Sequence, residues 1–140
     1  MNGNRSLSSL TRFTLLVGIA GHLTFGMITL FLPQIIHKYL WPPPLEAVPD
    51  LWLRYDAVVD LALALGGIYV IYQNNWIAAR TFLFTSGVDV ALLFVVTIAL
   101  LVTSSVQPLV IWLYILLALL YLPLILVTWQ RESAGFLRTA

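Results

Sequence analysis

The chain has 140 residues, of which 61% are hydrophobic and 9% are charged, and it contains no cysteine. Soluble domains carry about a quarter charged residues, and so few ionisable side chains cannot cover the surface of a globule of this size. The formal net charge of +1 provides no basic stripe for nucleic acid, and the lack of thiols excludes disulfides and thiolate metal sites. The composition therefore indicates an integral membrane protein.

Four long apolar segments follow one another along the chain. Each is close to the ~20 residues that an α-helix needs to cross a hydrocarbon core of ~30 Å. Short polar turns join the last three segments, so these are expected to be antiparallel neighbours. We therefore predict an all-α fold, a four-helix bundle that forms a single transmembrane domain. The domain covers 1–140, with helices at about 13–32, 51–72, 80–102 and 108–129.

The distribution of basic residues predicts the orientation in the membrane. Five arginines lie on the side that holds both chain ends and the turn after Tyr72, whereas Lys38 and Arg54 lie on the other side. Because basic residues collect on the cytoplasmic side, we expect both termini in the cytoplasm and the chain in the inner cell membrane. Residues 33–50 then form the longer, exoplasmic connection, and their apolar side predicts a segment that lies along the interface.

Three ionisable residues lie deep inside the segments, on three different helices: His22, Asp60 and Asp89. At a rise of 1.5 Å per residue, each is ~12–14 Å from one end of its segment. An ionisable side chain at that depth costs at least ~2.5 kcal/mol, so we expect all three to face the bundle interior and to meet there. Asp56, one turn before Asp60, and Arg54 beside it are candidates for an entrance from the exoplasmic side.

Two carboxylates and an imidazole suit proton exchange, which makes His22, Asp60 and Asp89 candidate catalytic residues. The same three could instead hydrogen-bond neighbouring helices and only lock the packing of the bundle. Passage of protons or cations is a further alternative. It is less favoured because no polar file is expected to continue from these residues to the cytoplasmic side.

The sequence leaves the cofactor open. One histidine and two carboxylates match the ligand count of a facial iron triad, but they are not spaced on a common scaffold, so we expect no metal. A single His22 flanked by small residues could bind a pigment such as a chlorophyll or a haem.

Two stretches of the chain carry a recognisable pattern. The first segment contains Gly18-x-x-Gly21-His22-x-x-Phe25-Gly26 and continues to Leu30-Phe31-Leu32-Pro33, and the second contains Arg54-Tyr55-Asp56 ahead of Gly66-Gly67. These stretches resemble the first two helices of the DoxX-like family of small four-helix membrane proteins. The resemblance implies a compact four-helix bundle, and some members of that family are associated with quinone-linked oxidation complexes. No catalytic residue can be carried over from it.

The small size and the weak catalytic signature favour an accessory or assembly subunit of a larger membrane complex. The alternatives are an intramembrane acid/base enzyme of the isomerase or cyclase type, acting on a lipophilic substrate, and a component of proton or cation transport. Whether the chain is an enzyme is left open. The expected partners are membrane lipid and either other membrane subunits or further copies of the chain, and no nucleic acid.

Overall fold

The computed structural model describes residues 6–34, 50–103 and 109–137. The described chain is all-helical, and each of its four helices is long and apolar enough to cross a membrane. The predicted interfacial segment at 33–50 and the turn after Thr103 lie almost entirely outside the described residues. The helices are α1 (Ser9–Phe31), α2 (Asp50–Gln73), α3 (Trp76–Thr103) and α4 (Leu109–Leu137).

The bundle has an apolar outer surface and a partly polar interior. Large side chains such as Leu65, Phe84 and Leu120 are more than half exposed, whereas Thr14 and Ser86 are fully buried. This distribution is the reverse of the pattern in soluble proteins and suits a lipid environment, in which polar groups must find partners inside the protein.

The N-terminus of α1 is set by a capping residue. The Ser8 side chain accepts a hydrogen bond from the Thr11 backbone N–H, which satisfies one of the free donors of the first turn. The helix therefore starts at Ser9, four residues before the predicted start at 13. Hydropathy predicts only the apolar part of α1. The Ser8 cap allows the helix to include the polar residues that precede this part.

Two asparagines form the tight turn between α2 and α3. Asn74 adopts a left-handed backbone conformation (φ 49°), and its N–H donates to the Val70 carbonyl at 3.1 Å. The Asn75 side chain accepts from the Ile77 N–H at 2.8 Å and caps α3. Because of this cap, α3 begins at Trp76, four residues before the predicted 80.

The same turn is attached to the start of α1. The Asn74 side-chain oxygen accepts hydrogen bonds from the Leu7 backbone N–H and from the Arg12 guanidinium, both at 3.1 Å. The sequence indicated only a turn at this position. In the structure it also holds the N-terminal end of the first helix.

α4 continues to Leu137, eight residues past the predicted end at 129. The last turns are polar in sequence, but Glu132 is only 5% exposed because the start of α1 covers it. The Thr11 hydroxyl donates to the Glu132 carboxylate at 2.7 Å, and the Ser8 hydroxyl donates to the same oxygen. These hydrogen bonds hold the polar C-terminal end of α4 against the bundle.

α1 contacts each of the other three helices, and its packing against α2 is the most extensive in the bundle. Two glycines on one face of α1 allow this close approach. A Cβ atom on Gly26 would lie 3.1 Å from the Ala57 carbonyl oxygen and from Asp60 Cβ, and one on Gly18 would overlap the Tyr121 hydroxyl. His22 lies between these two glycines, so close packing on both sides determines its position.

We expect Gly26→Ala to lower the thermal stability of the detergent-solubilised protein, by about 1–3 kcal/mol, because the α2 backbone must move to admit the new methyl group. Gly21→Ala is the matched control. No atom lies within 4 Å of a Cβ at Gly21, and alanine is the better helix former by ~1 kcal/mol, so its melting temperature should be unchanged or higher. Equal melting temperatures for the two variants would contradict the close contact.

Candidate functional site

The structure brings three of the candidate residues together from three helices. One ligand atom each from His22 of α1, Asp60 of α2 and Asp89 of α3 lies within 4.8 Å of the other two. We refer to these three residues as the central cluster.

The two ring nitrogens of His22 have different partners. Nδ1 lies 2.7 Å from Asp60 Oδ1, and Nε2 lies 2.8 Å from the Ser86 hydroxyl oxygen. Since a carboxylate only accepts, Nδ1–H donates to Asp60, and in the neutral ring Nε2 accepts the Ser86 O–H. The ring is 6% exposed, so these bonds and the surrounding helices determine its orientation.

The hydrogen-bonded chain continues from Ser86 to α4. The Ser86 oxygen lies 3.1 Å from the Tyr121 hydroxyl, and both side chains are buried. When the Ser86 proton points to His22, Tyr121 donates to Ser86. The resulting order is Tyr121, Ser86, His22 and Asp60, one residue from each of the four helices.

Ser86 and Tyr121 were not among the predicted site residues. Ser86 could have been found from its spacing, because it precedes Asp89 by three residues and therefore shares a face of α3 with it. Tyr121 has no such signal on its own helix. Its hydroxyl reaches Ser86 because Gly18 on another helix leaves room, and a contact between distant parts of the chain is not visible in one sequence.

Asp89 differs from Asp60 in its surroundings. It is only half-buried, and within the described residues no hydrogen bond reaches its carboxylate. A carboxylate without donors is costly to keep ionised away from water. The Asp89 oxygens therefore need a proton, a cation or a bound molecule as a partner.

The two candidates for an entrance are not part of the central cluster. Asp56 and Arg54 are exposed on the first turns of α2, and neither belongs to the group of atoms within 4.8 Å. Asp56 is one turn before Asp60, on the side of the bundle where α2 begins. A role in access to the site stays a prediction.

The geometry of the central cluster suits a metal ion better than a pigment. A pigment would have to displace Ser86 or Asp60, because both His22 nitrogens are already bonded. A metal ion fits better, since imidazole and carboxylate oxygens are suitable ligands and lie close together. It would take the place of the proton between His22 and Asp60.

We expected no polar file toward the side that holds both termini, but separate pairs of polar side chains do lie there. The Thr14 and Thr128 hydroxyls lie 2.7 Å apart in the α1–α4 interface, and Thr11 with Glu132 follows one turn farther out. Helical spacing on α1 contained this signal, because 11, 14, 18 and 22 lie on one face. Hydropathy hid it, because threonine barely interrupts an apolar segment.

No protein-family model, curated protein or solved structure matches this chain. The resemblance to DoxX-like proteins therefore stays a prediction, and function is inferred from the geometry of the cluster.

We expect Ser86→Ala to destabilise the protein by about 1–3 kcal/mol, because it leaves a buried acceptor on His22 and the Tyr121 hydroxyl without their partner. Thr97→Val is the matched control on α3: the Thr97 hydroxyl is also buried but donates only to the Leu93 carbonyl of its own helix. Thermal unfolding in the same detergent compares the two. An equal loss in both variants would mean that the Ser86 bonds have no special role in stability.

Proposed function

We propose that this chain is an intramembrane acid–base protein whose central cluster exchanges a proton with a lipophilic substrate. The observation that supports this is Asp89, a half-buried carboxyl group without a hydrogen bond among the described residues, next to an imidazole that is held in place on both sides. Proton transfer to a bound substrate needs an acid that can reach the substrate. It also needs a neighbouring group whose own protonation changes with the charge on that acid.

Charge balance supports a proton on Asp89 in the resting state. Two ionised carboxylates within 4.8 Å, beside a neutral ring, would repel each other strongly in a medium of low polarity. Asp60 accepts the Nδ1–H of His22. Asp89 has no such donor among the described residues, so we assign the proton to Asp89.

The reaction that fits is a proton shift within an unsaturated lipid-like molecule, as in an isomerase or cyclase. Asp89 gives its proton to one carbon of the substrate, which leaves a carboxylate and a substrate cation. The same carboxylate then removes a proton from a neighbouring carbon, and the double bond re-forms in a new position. The substrate cation beside Asp89 balances the charge on Asp89 while that charge is present, and the charge on Asp60 stays paired with His22.

Ser86, His22 and Asp60 also have the connectivity of a nucleophile, a base and an orienting acid. A nucleophilic serine must reach the carbonyl carbon of its substrate. Ser86 is fully buried, and Tyr121 occupies its second hydrogen-bonding position. We therefore assign Ser86 to the hydrogen-bonded chain and not to covalent catalysis.

The role of an accessory or assembly subunit does not use the cluster for chemistry, and it stays a prediction. The transport alternative uses the same residues but requires net movement of ions across the bilayer. We further propose an inner-membrane location with both termini in the cytoplasm, which the arginine distribution supports.

Deuterium incorporation tests the acid–base role even while the substrate is unidentified. The purified protein is reconstituted with a lipid extract of its native membrane in D₂O, and the lipids are followed by mass spectrometry. We expect at least one lipid species to gain carbon-bound deuterium or to isomerise, because Asp89 exchanges its proton with D₂O between cycles and then gives deuterium to a substrate carbon. Asp89→Asn should abolish the change.

Thr97→Val serves as the matched control on the same helix and should keep the activity. If no lipid species differs between the native protein and Asp89→Asn, the acid–base proposal is wrong. If Asp89→Asn instead removes a bound divalent metal ion, measured by elemental analysis, the cluster is a metal centre. Unchanged assembly with other membrane proteins in that variant would agree with an accessory role.

A further inference from the structure

The acid–base proposal leaves one buried acidic residue unused. Glu132 is 5% exposed near the end of the bundle that holds both termini, and the Ser8 and Thr11 hydroxyls donate to its carboxylate. Its neighbours Arg131 and Arg12 are exposed, so this carboxyl lies just inside the surface of the protein. A carboxyl group in that position can exchange protons with the medium and pass them inward.

A pair of hydroxyl groups lies one turn deeper in the same interface. Thr14 and Thr128 are fully buried and 2.7 Å apart, with a hydroxyl proton shared between them. Each hydroxyl can also donate to the carbonyl four residues before it in its own helix, Leu10 or Leu124. Rotation about the Cβ–O bond therefore switches each proton between two acceptors without breaking the fold.

The next polar group inward is the Tyr121 hydroxyl. It lies against the Cα of Gly18, one turn beyond Thr14 on α1, and it is already bonded to Ser86 of the hydrogen-bonded chain. Any larger residue at 18 would push this hydroxyl out of line. The glycine therefore keeps the α1–α4 interface polar at the level where it meets the central cluster.

The spacing of these groups suits proton transfer. On α1 the successive levels 11, 14, 18 and 22 are separated by three or four residues, or ~4.5–6 Å along the axis. Where two successive oxygens are not in direct contact, a water molecule would have to bridge them. The groups follow one another along the α1–α4 interface from Glu132 to His22.

We propose that this line in the α1–α4 interface is a proton route, which supplies the central cluster with protons from water on the side that holds both chain ends. When one proton moves along the route, Glu132 releases a proton inward. Each hydroxyl group of the line then accepts one proton and donates one. His22 accepts a proton at Nε2 and becomes an imidazolium paired with Asp60. Glu132 regains a proton from the medium, so one proton enters the protein and the cluster holds one more.

The inference rests on the proposed function only for the reaction in which the proton takes part. The route itself is a property of the described residues and is tested on the resting protein. Its failure is therefore distinguishable from the failure of the acid–base role. The deuterium assay would then still separate the native protein from Asp89→Asn, while exchange at His22 would not depend on the α1–α4 interface.

The experiment follows solvent exchange at the His22 ring. The chain has two histidines, so His37→Gln leaves His22 as the single ¹⁵N-labelled imidazole in reconstituted vesicles. Protons that arrive at and leave Nε2 move its ¹⁵N signal between the positions of the neutral and the protonated ring, and solid-state NMR relaxation measures the rate of this exchange. We expect Thr14→Val and Glu132→Gln each to slow this exchange at least about tenfold, as the loss of one transfer step should.

Two variants control for changes in packing. Thr14→Ser keeps the hydroxyl and should exchange at the native rate. Thr29→Val removes an equally buried hydroxyl from α1 on the far side of His22, outside the proposed line, and should also leave the rate unchanged. If Thr14→Val does not fold, Thr128→Val interrupts the same pair and replaces it.

A native exchange rate in Thr14→Val would overturn the proposal, because protons would then reach His22 by another path. Equal slowing in Thr29→Val and Thr14→Val would also overturn it, because the effect would then reflect general stability. If Thr14→Val slows exchange but Glu132→Gln does not, the assignment of Glu132 as the outer end of the line is wrong.

Discussion

The hydrogen bonds of His22 are the interaction on which the rest of this bundle depends. An imidazole and a carboxylate deep in an apolar bundle are costly unless each finds a partner, and here Asp60 and Ser86 occupy the two ring nitrogens. With Tyr121 the network includes one side chain from every helix. The polar groups therefore specify how four apolar helices face one another, which van der Waals packing between similar leucine-rich surfaces would leave open.

Close packing around this network comes from small residues. Gly26 admits the α2 backbone on one side of His22, and Gly18 admits the Tyr121 hydroxyl on the other. If Gly18 or Gly26 carried a side chain, the helices would separate by the width of a methyl group. The His22 hydrogen bonds of 2.7–2.8 Å would then not form. The glycines thus set the distance between the helices, and the polar network sets the register in which the helices pack.

The interior is asymmetric along the membrane normal. On one side of His22, hydroxyl and carboxyl groups continue along the α1–α4 interface to Glu132. On the other side, the Thr29 and Tyr114 hydroxyls are buried without a hydrogen-bond partner among the described residues. Asp89 is half-buried at the level where the two sides meet. The proposed proton route would therefore reach the central cluster from the side that holds both chain ends.

The sequence by itself determined the helical class, the number of helices and the three ionisable residues of the cluster, because hydropathy and the cost of burying charge act on each segment separately. It also predicted that His22, Asp60 and Asp89 would meet, since each needs a partner inside the bundle. Helix ends were less predictable. Ser8, Asn75 and Glu132 extend the helices through capping and tertiary hydrogen bonds that hydropathy does not measure.

Only the tertiary structure decided how the cluster is connected. It showed that Ser86 and Tyr121 belong to the His22 network and that Asp89 lacks a donor among the described residues. It also showed that Thr14 bonds Thr128 and Thr11 bonds Glu132 across the α1–α4 interface. These relations join residues 35 to 121 positions apart in the chain. They depend on the rotation of each helix about its axis, which packing between all four helices sets.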